Sequence, residues 1–263
     1  MIPAMRRDRI LRHVRQSGAA TVTQLADAIG ASESTVRRDI DMLAAQGALA
    51  RMPGGVMAPE RRLAAFEPDA AEAERLSTAE KIAIGEAAAA EVAPGQCVVF
   101  DTGTTARAAA RAVVARGVAL TAVTIDLQTA LALSESAGVT LIVPGGVLRQ
   151  GSYSLLGAPG LEFLRGIHAD LALMGAHAIS GGLVTETSVE LAETKAVILR
   201  NARRSLLLAD ATKFRAPAFR TVAPLNAFAA LITDARLDAA ARAMAQSAGL
   251  TVTLATPGGA AAP

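Results

Sequence analysis

At 263 residues, 52% of them hydrophobic, the chain is long enough for two domains and a sizeable buried core. One cysteine excludes an internal disulfide framework, and no apolar run is long enough to span a membrane, so a cytoplasmic protein with no membrane partner is expected. The net charge of +2 hides an asymmetry: residues 1–62 hold ten Arg against six acids and the remainder 16 basic against 18 acidic residues, which points to a polyanionic partner for the head.

The first sixty residues read as three short helices. Ile10, Leu11 and Val14 share one face, with Arg6, Arg9, Arg12 and Arg15 around the rest and Gly18 as a stop. Thr21 is a predicted N-cap, and Gln24 three residues on completes a capping box. Leu25, Ala26 and Ile29 form the apolar face of that second helix, and Gly30 ends it. Ser32 is placed to cap a third helix, ended by Gly47. Val36, Ile40 and Leu43, spaced i, i+4, i+7, turn inward there and leave Ser34, Thr35, Arg37, Arg38 and Asp41 outside.

Two short helices joined by a tight turn, the second presenting hydroxyls and paired arginines, describe a helix-turn-helix. Ser32, Ser34 and Thr35 suit phosphate oxygens, and Arg37 and Arg38 suit the guanine edge in a bidentate fork. Leu49 to Val56 reads as a β-hairpin wing, from which Arg51 can reach a phosphate or the minor groove. A plain three-helix bundle with a solvated face has the same periodicity. The basic charge, the wing and the place at the chain end favour double-stranded DNA. From Met57 to Leu76, Pro59, Arg61, Arg62 and Pro68 mix with Glu67, Asp69, Glu72 and Glu74, so the expected division is 1–60 DNA-binding, 61–76 linker and 77–263 second domain.

From residue 77 apolar runs alternate with helical patterns. Strand candidates are 98–100, 119–123, 139–143, 171–174, 206–209, 229–232 and 251–254; helical stretches near 80–92, 105–115, 127–135, 188–201 and 237–247 lie among them. The alternation predicts an α/β domain with a mainly parallel sheet, whose ligands gather at the carboxyl ends of strands. Asp101-Thr102-Gly103-Thr104-Thr105 follows the first strand and opens a helix, so Gly103 can let an anion approach while Thr104, Thr105 and the helix amides donate to it. N-capping explains that turn equally well. Gly145-Gly146 and Asp210-Ala211-Thr212-Lys213-Phe214 also follow strands, and Lys213 is one of only three lysines beside 23 arginines. A solvated surface lysine is the plain alternative. Cys97 reads as a buried strand residue, and His13, His168 and His177 lack metal-ligand spacing, so neither metal nor cofactor is expected.

The stretch from Arg9-Ile10-Leu11 through Thr23-Gln24-Leu25-Ala26 and Ser32-Glu33-Ser34-Thr35-Val36-Arg37-Arg38-Asp39-Ile40 to Gly54-Gly55 resembles the winged helix-turn-helix of DeoR-family regulators. Pro53 departs from it, standing where the family usually has His. Glu80-Lys81, Asp101 to Thr105, Gly145-Gly146, Gly175-Ala176, Gly182-Leu183, Glu190 with Lys195, Asp210 to Phe214 and Thr233-Asp234 resemble, in order, the family's effector domain, which is similar in fold to ribose-5-phosphate isomerases.

The resemblance implies a homo-oligomeric, operator-binding repressor of a sugar-metabolism operon, controlled by a phosphorylated sugar. The effector contacts it implies are Asp101, Gly103, Thr104, Thr105, Thr124, Asp126, Gly145, Gly146, Lys195 and Lys213. Ile125 stands where the family commonly has Asn and cannot replace an amide hydrogen bond, leaving Asp126 beside it to meet a sugar hydroxyl. The isomerases carry their acids in an Asp-Gly-Ala-Asp-Glu segment, and the matching stretch here is Met174-Gly175-Ala176-His177-Ala178. Moving a proton between carbons needs a placed base, so binding without catalysis is expected. Two rivals stand beside this reading: a sugar-phosphate isomerase carrying a DNA-binding head, and a constitutive architectural DNA binder.

Overall fold

The computed structural model describes residues 2–17, 19–45, 48–52, 54–57, 70–149 and 151–258. The chain divides between Phe66 and Glu67 into two compact units. Among the described residues no helix is long and apolar enough to cross a membrane.

The first unit runs α1 (Pro3–Ser17), β1 (Ala19–Thr21), α2 (Val22–Ile29), α3 (Glu33–Ala45), β2 (Ala50–Met52) and β3 (Gly55–Met57). Ile10, Val14, Leu25, Ile29, Val36, Ile40, Leu43 and Val56 meet in one core. Burying each such side chain stabilises the unit by about 1.5–3 kcal/mol. The capping box forms as its spacing predicts: Gln24 N donates to Thr21 Oγ1 at 3.1 Å and Thr21 N to Gln24 Oε1 at 2.9 Å. β2 and β3 pair antiparallel as the expected wing, and β1 adds a third strand on the far side of β3. Three residues are too few to show a period, so β1 left no pattern to read. Asp39, which no apolar period marks, is buried and accepts from Arg6 Nε at 2.5 Å, tying α1 to α3. Gly18, Gly47, Pro53 and the Pro- and acid-rich stretch 58–69 lie outside the described residues.

The second unit continues with α4 (Ala70–Arg75), α5 (Thr78–Ala90), β4 (Cys97–Phe100), α6 (Thr104–Ala115), β5 (Leu120–Thr124), α7 (Leu127–Leu133), β6 (Val139–Ile142), β7 (Val147–Leu148), β8 (Leu155–Leu156) and α8 (Ala158–Arg165). It ends with β9 (Ala169–Gly175), β10 (Ala178–Ser180), β11 (Leu183–Glu186), α9 (Val189–Asn201), β12 (Ala202–Leu208), β13 (Arg220–Pro224), β14 (Ala230–Asp234), α10 (Ala239–Ser247) and β15 (Thr251–Ala255).

All seven predicted strands join one sheet, in the order β15-β14-β12-β9-β4-β5-β6, and every pairing in it is parallel. Both faces are covered, which is why the strands read as continuous apolar runs. Val98 and Phe100 enter one apolar cluster with Ile84, Ala109, Leu171 and Leu173, while Val99 enters the other with Ala172, Met174 and Leu207. With few aromatics to fill space, α5 and α6 close on one another through alanine. A Cβ on Gly85 would stand 2.6 Å from the backbone of Ala108.

Mostly short elements account for what the sequence did not announce. They are the antiparallel sheet β10-β11-β13, the hairpin β7–β8, the eight-residue helix α8, and α4, which occupies the end of the expected linker. The chain lays down β4, β5 and β6 outward and then returns to place β9 on the other side of β4. That reversal opens a crevice at the carboxyl ends of β4 and β9.

Candidate functional site

Two features stand out, one in each unit. α3 carries Ser34, Thr35, Arg37 and Arg38, and Ser32 stands immediately before it. Ser32 Oγ lies 3.1 Å from Ser34 Oγ and 2.8 Å from Thr35 Oγ1, a cluster of hydroxyls at the helix start. Arg37 is paired with Glu33 at 3.1 Å, and Glu33 also accepts from Thr23 Oγ1 on α2 at 2.7 Å. Arg51, on β2, pairs with Asp41 of α3, so the wing is tied to the helix it flanks. Arg38 is exposed and has no ion pair among the described residues.

In the second unit a cavity of about 150 Å³ opens at the carboxyl ends of β4 and β9. Lys81, Lys195 and Lys213, all three lysines of the chain, line it with Arg107 and Arg215. Gly103, Thr104 and Thr105 line it as well, at the cap and first turn of α6, where backbone amides have no intrahelical acceptor and the helix dipole is positive. Such a combination attracts anions.

The carboxylates that face the cavity are all engaged. Asp126 Oδ1 accepts from Thr129 N at 2.8 Å as the cap of α7, and its Oδ2 accepts from Thr102 Oγ1 at 2.8 Å. Asp210 Oδ1 accepts from Thr212 N at 3.0 Å. Glu186 Oε1 holds Lys195 Nζ at 2.6 Å. Lys195 is 2% exposed, and it also meets Asp101 Oδ2 at 2.8 Å and the Gly175 carbonyl at 3.0 Å. Burial alone pushes the Lys195 ammonium down, but Asp101 and Glu186 outweigh it and hold the ammonium above its ordinary range.

Burial, with Lys213 and Arg107, pushes Lys81 down to about 8, against the pull of Asp210 and Glu74. Lys213 is lowered too, by burial first and then by Arg215 and Lys195, with Asp210 and Glu186 opposing. His177 falls to about 3, from burial and from Arg215, Lys213, Lys195 and Arg149 around it, and its Nε2 lies 2.9 Å from Arg215 Nη2. A neutral imidazole that weak is a poor base.

Of the effector contacts expected from sequence, Gly103, Thr104, Thr105, Asp126, Lys195 and Lys213 line this cavity. Asp101, Thr124, Gly145 and Gly146 are not on its wall. Asp101 is fully buried beneath it, bracing Lys195 and accepting from Gly175 N at 2.9 Å. Thr124, also fully buried, accepts from Asp126 N at 3.1 Å. Gly146 passes so close to β8 that a Cβ there would stand 2.5 Å from the Leu156 carbonyl oxygen, a packing reason for glycine. Sequence reading had not placed Lys81, Arg107, Arg215 or His177 in the site. The scarcity of lysine was the available signal, since the three lysines converge. Among the described residues no cluster of His, Cys, Asp or Glu is arranged to hold a metal.

Known proteins match both units. Residues 6–62 match the DeoR-like helix-turn-helix domain, and residues 76–235 match the DeoR C terminal sensor domain. The uncharacterized HTH-type transcriptional regulator YgbI of Escherichia coli K12 is 34% identical over 93% of this chain and 95% of its own length. The glycerol-3-phosphate regulon repressor of the same organism is 28% identical over 89% of this chain and 92% of its own. Ribose 5-phosphate isomerase A from Methanocaldococcus jannaschii aligns over 53% of this chain and 55% of its own, with a TM-score of 0.40 and 14% identity, a distant likeness on which no chemistry rests. The chain belongs to the DeoR family of transcriptional regulators.

Proposed function

We propose that the protein is a cytoplasmic, sequence-specific repressor of a sugar-metabolism operon, whose grip on operator DNA is set by a phosphorylated sugar bound in the second unit. One observation carries the reading. All three lysines and two arginines converge, with the first turn of α6, on one cavity in a chain whose other unit is a winged helix-turn-helix. The domains divide the work as 1–60 for DNA and 77–263 for sensing and assembly, with 61–76 connecting them and its last turn, α4, belonging to the sensing unit.

In this reading Ser32, Ser34 and Thr35 take phosphate oxygens, Arg37 and Arg38 read base edges, and Arg51 steadies the wing on the backbone. Gly103, Thr104, Thr105, Lys81, Arg107 and Lys213 take the ligand's phosphate, and Asp126 meets a hydroxyl. Asp101 and Lys195 position that wall from beneath. A homodimer or higher oligomer presents two α3 helices to successive major-groove faces, about 34 Å apart. The ligand shifts operator affinity only as far as it binds the two states of the protein unequally.

The protein acts as a sensor and not as an enzyme. Each cavity carboxylate already holds a cap or a cation, and His177 is too weak a base to carry a proton between carbons. The test is operator binding by fluorescence anisotropy across a panel of phosphorylated and free sugars. At least one phosphorylated sugar should shift the affinity while its free counterpart does not. Indifference to every phosphorylated compound, or turnover of one by the purified protein, overturns the reading.

Two further results follow from the same wall. Lys213→Ala should weaken effector binding about tenfold, the loss of one charge-assisted contact, and leave ligand-free operator binding unchanged. A normal effector response would remove Lys213 from the site. Between pH 7.5 and 9.5 a phosphomonoester stays dianionic, whereas Lys81 loses its proton near 8. Ligand binding must then bring a proton back to it, so calorimetric affinity should fall with pH by at most about tenfold per unit per lysine. Lys81→Arg should flatten the slope; a pH-independent affinity in the parent excludes Lys81 from the contact.

A further inference from the structure

Arg107 is 6% exposed and Lys81 5% exposed, and charges at that depth need partners. Both find them on α4. Arg107 Nη2 lies 3.1 Å from Glu74 Oε1, and Lys81 Nζ donates to the Ala73 carbonyl at 2.6 Å. Ala73 and Leu76 form part of the cavity wall. α4 has six residues, too few to persist as a helix without tertiary contacts. Ala73, Glu74 and Arg75 belong to neither apolar cluster of the sheet, so polar contacts do the docking.

From this geometry we infer that α4 is a self-inhibitory latch on the cavity, and that an arriving phosphate group competes with Glu74 and the Ala73 carbonyl for Arg107 and Lys81. The inference rests on the anion-binding reading above and adds its regulation. Arg107 stands on the first turn of α6, where its N–H donates to the Gly103 carbonyl at 3.0 Å, so its guanidinium serves the same end of the cavity as the open amides. A phosphate dianion offers that guanidinium two oxygens and a larger charge than one carboxylate does. It also repels the Glu74 carboxylate, though water screens that repulsion in part because Glu74 is about half exposed. The carboxylate therefore leaves Arg107 as the dianion settles, and with Lys81 also turned inward α4 is left with Glu74's longer, 4.0 Å pair to the exposed Arg111. α4 opens the second unit in sequence, and residues 58–69 lead from it to the DNA-binding unit.

The test is Glu74→Gln in the full chain, titrated calorimetrically with inorganic phosphate and with glycerol 3-phosphate. Glu74 is about half exposed, so the variant should fold normally. It should bind both probes about two- to fivefold tighter than the parent, the range set by one partly exposed ion pair. In the parent, either probe should speed hydrogen exchange of the amides of residues 74–77. Equal or weaker binding by the variant, or slower exchange in the parent, overturns the latch and leaves the anion site standing. Failure of either probe to bind either protein removes the latch and the anion site together.

Discussion

Replacing Arg38 by alanine is expected to weaken operator binding by about 1–3 kcal/mol, roughly fivefold to 150-fold, without lowering the melting temperature of the first unit. The side chain is exposed on α3 and has no ion pair among the described residues, so its loss strands no buried charge and breaks no packing. Arg37 and Arg51 should cost less. Each is held by an acid of α3, Glu33 and Asp41 respectively, and turning to DNA means giving up a surface pair worth about 0.2–1 kcal/mol. Anisotropy titrations over a salt series distinguish the two kinds of contact. A base contact at Arg38 lowers specific affinity and relaxes discrimination between operator variants; a phosphate contact weakens all sequences alike and reduces the salt slope by about one. Unchanged affinity at both Arg37 and Arg38 would remove α3 as the reading element.

Periodicity made the large elements legible. α2 and α3 were readable because Leu25 and Ile29, then Val36, Ile40 and Leu43, repeat with the helical turn and flank recognisable caps. The seven parallel strands were readable as short apolar runs bounded by helical patterns, the inner ones buried on both faces and the edge strands β6 and β15 only partly buried. β1, β7, β8 and β10 have two or three residues each, too few for any period, and their pairing is decided by which backbone lies alongside. α4 was hidden for a different reason. Its apolar content is alanine alone, and what docks it is a contact between Glu74 and an arginine 33 positions on, which no local pattern encodes.

The site was legible where local chemistry announces it and hidden where the fold assembles it. Gly103-Thr104-Thr105 at a strand–helix junction is a local signal, and those residues do line the cavity. Gly145-Gly146 is an equally local signal, yet Gly146 makes room for the Leu156 backbone. Glycine frees the backbone for a ligand and for close packing alike, and sequence does not separate the two. In sequence Arg107 is one of 23 arginines, set in an alanine-rich helix with no local mark. Only the placement of α4 turns it into a buried cation at the cavity edge.

Lys195→Met should be the most destabilising of the substitutions considered, at about 3–5 kcal/mol. The ammonium donates to Asp101, Glu186 and the Gly175 carbonyl, which uses all three of its protons. Methionine fills much the same volume and satisfies none of them. Asp101 and Glu186 then lose the ammonium that bridges them and repel one another at close range. Each kcal/mol lowers the melting point of a domain this size by about 2–4 °C, so the drop should be about 6–20 °C. Adding Asp101→Asn and Glu186→Gln to Lys195→Met removes the repulsion and should recover much of the loss, a coupling that a mutant cycle measures directly. Because Asp101 also holds Gly175 N at the end of β9, the single variant should lose ligand affinity even at temperatures where it is folded. A melting point within 2 °C of the parent (roughly 1 kcal/mol or less) would mean the ion trio is not the brace beneath the cavity.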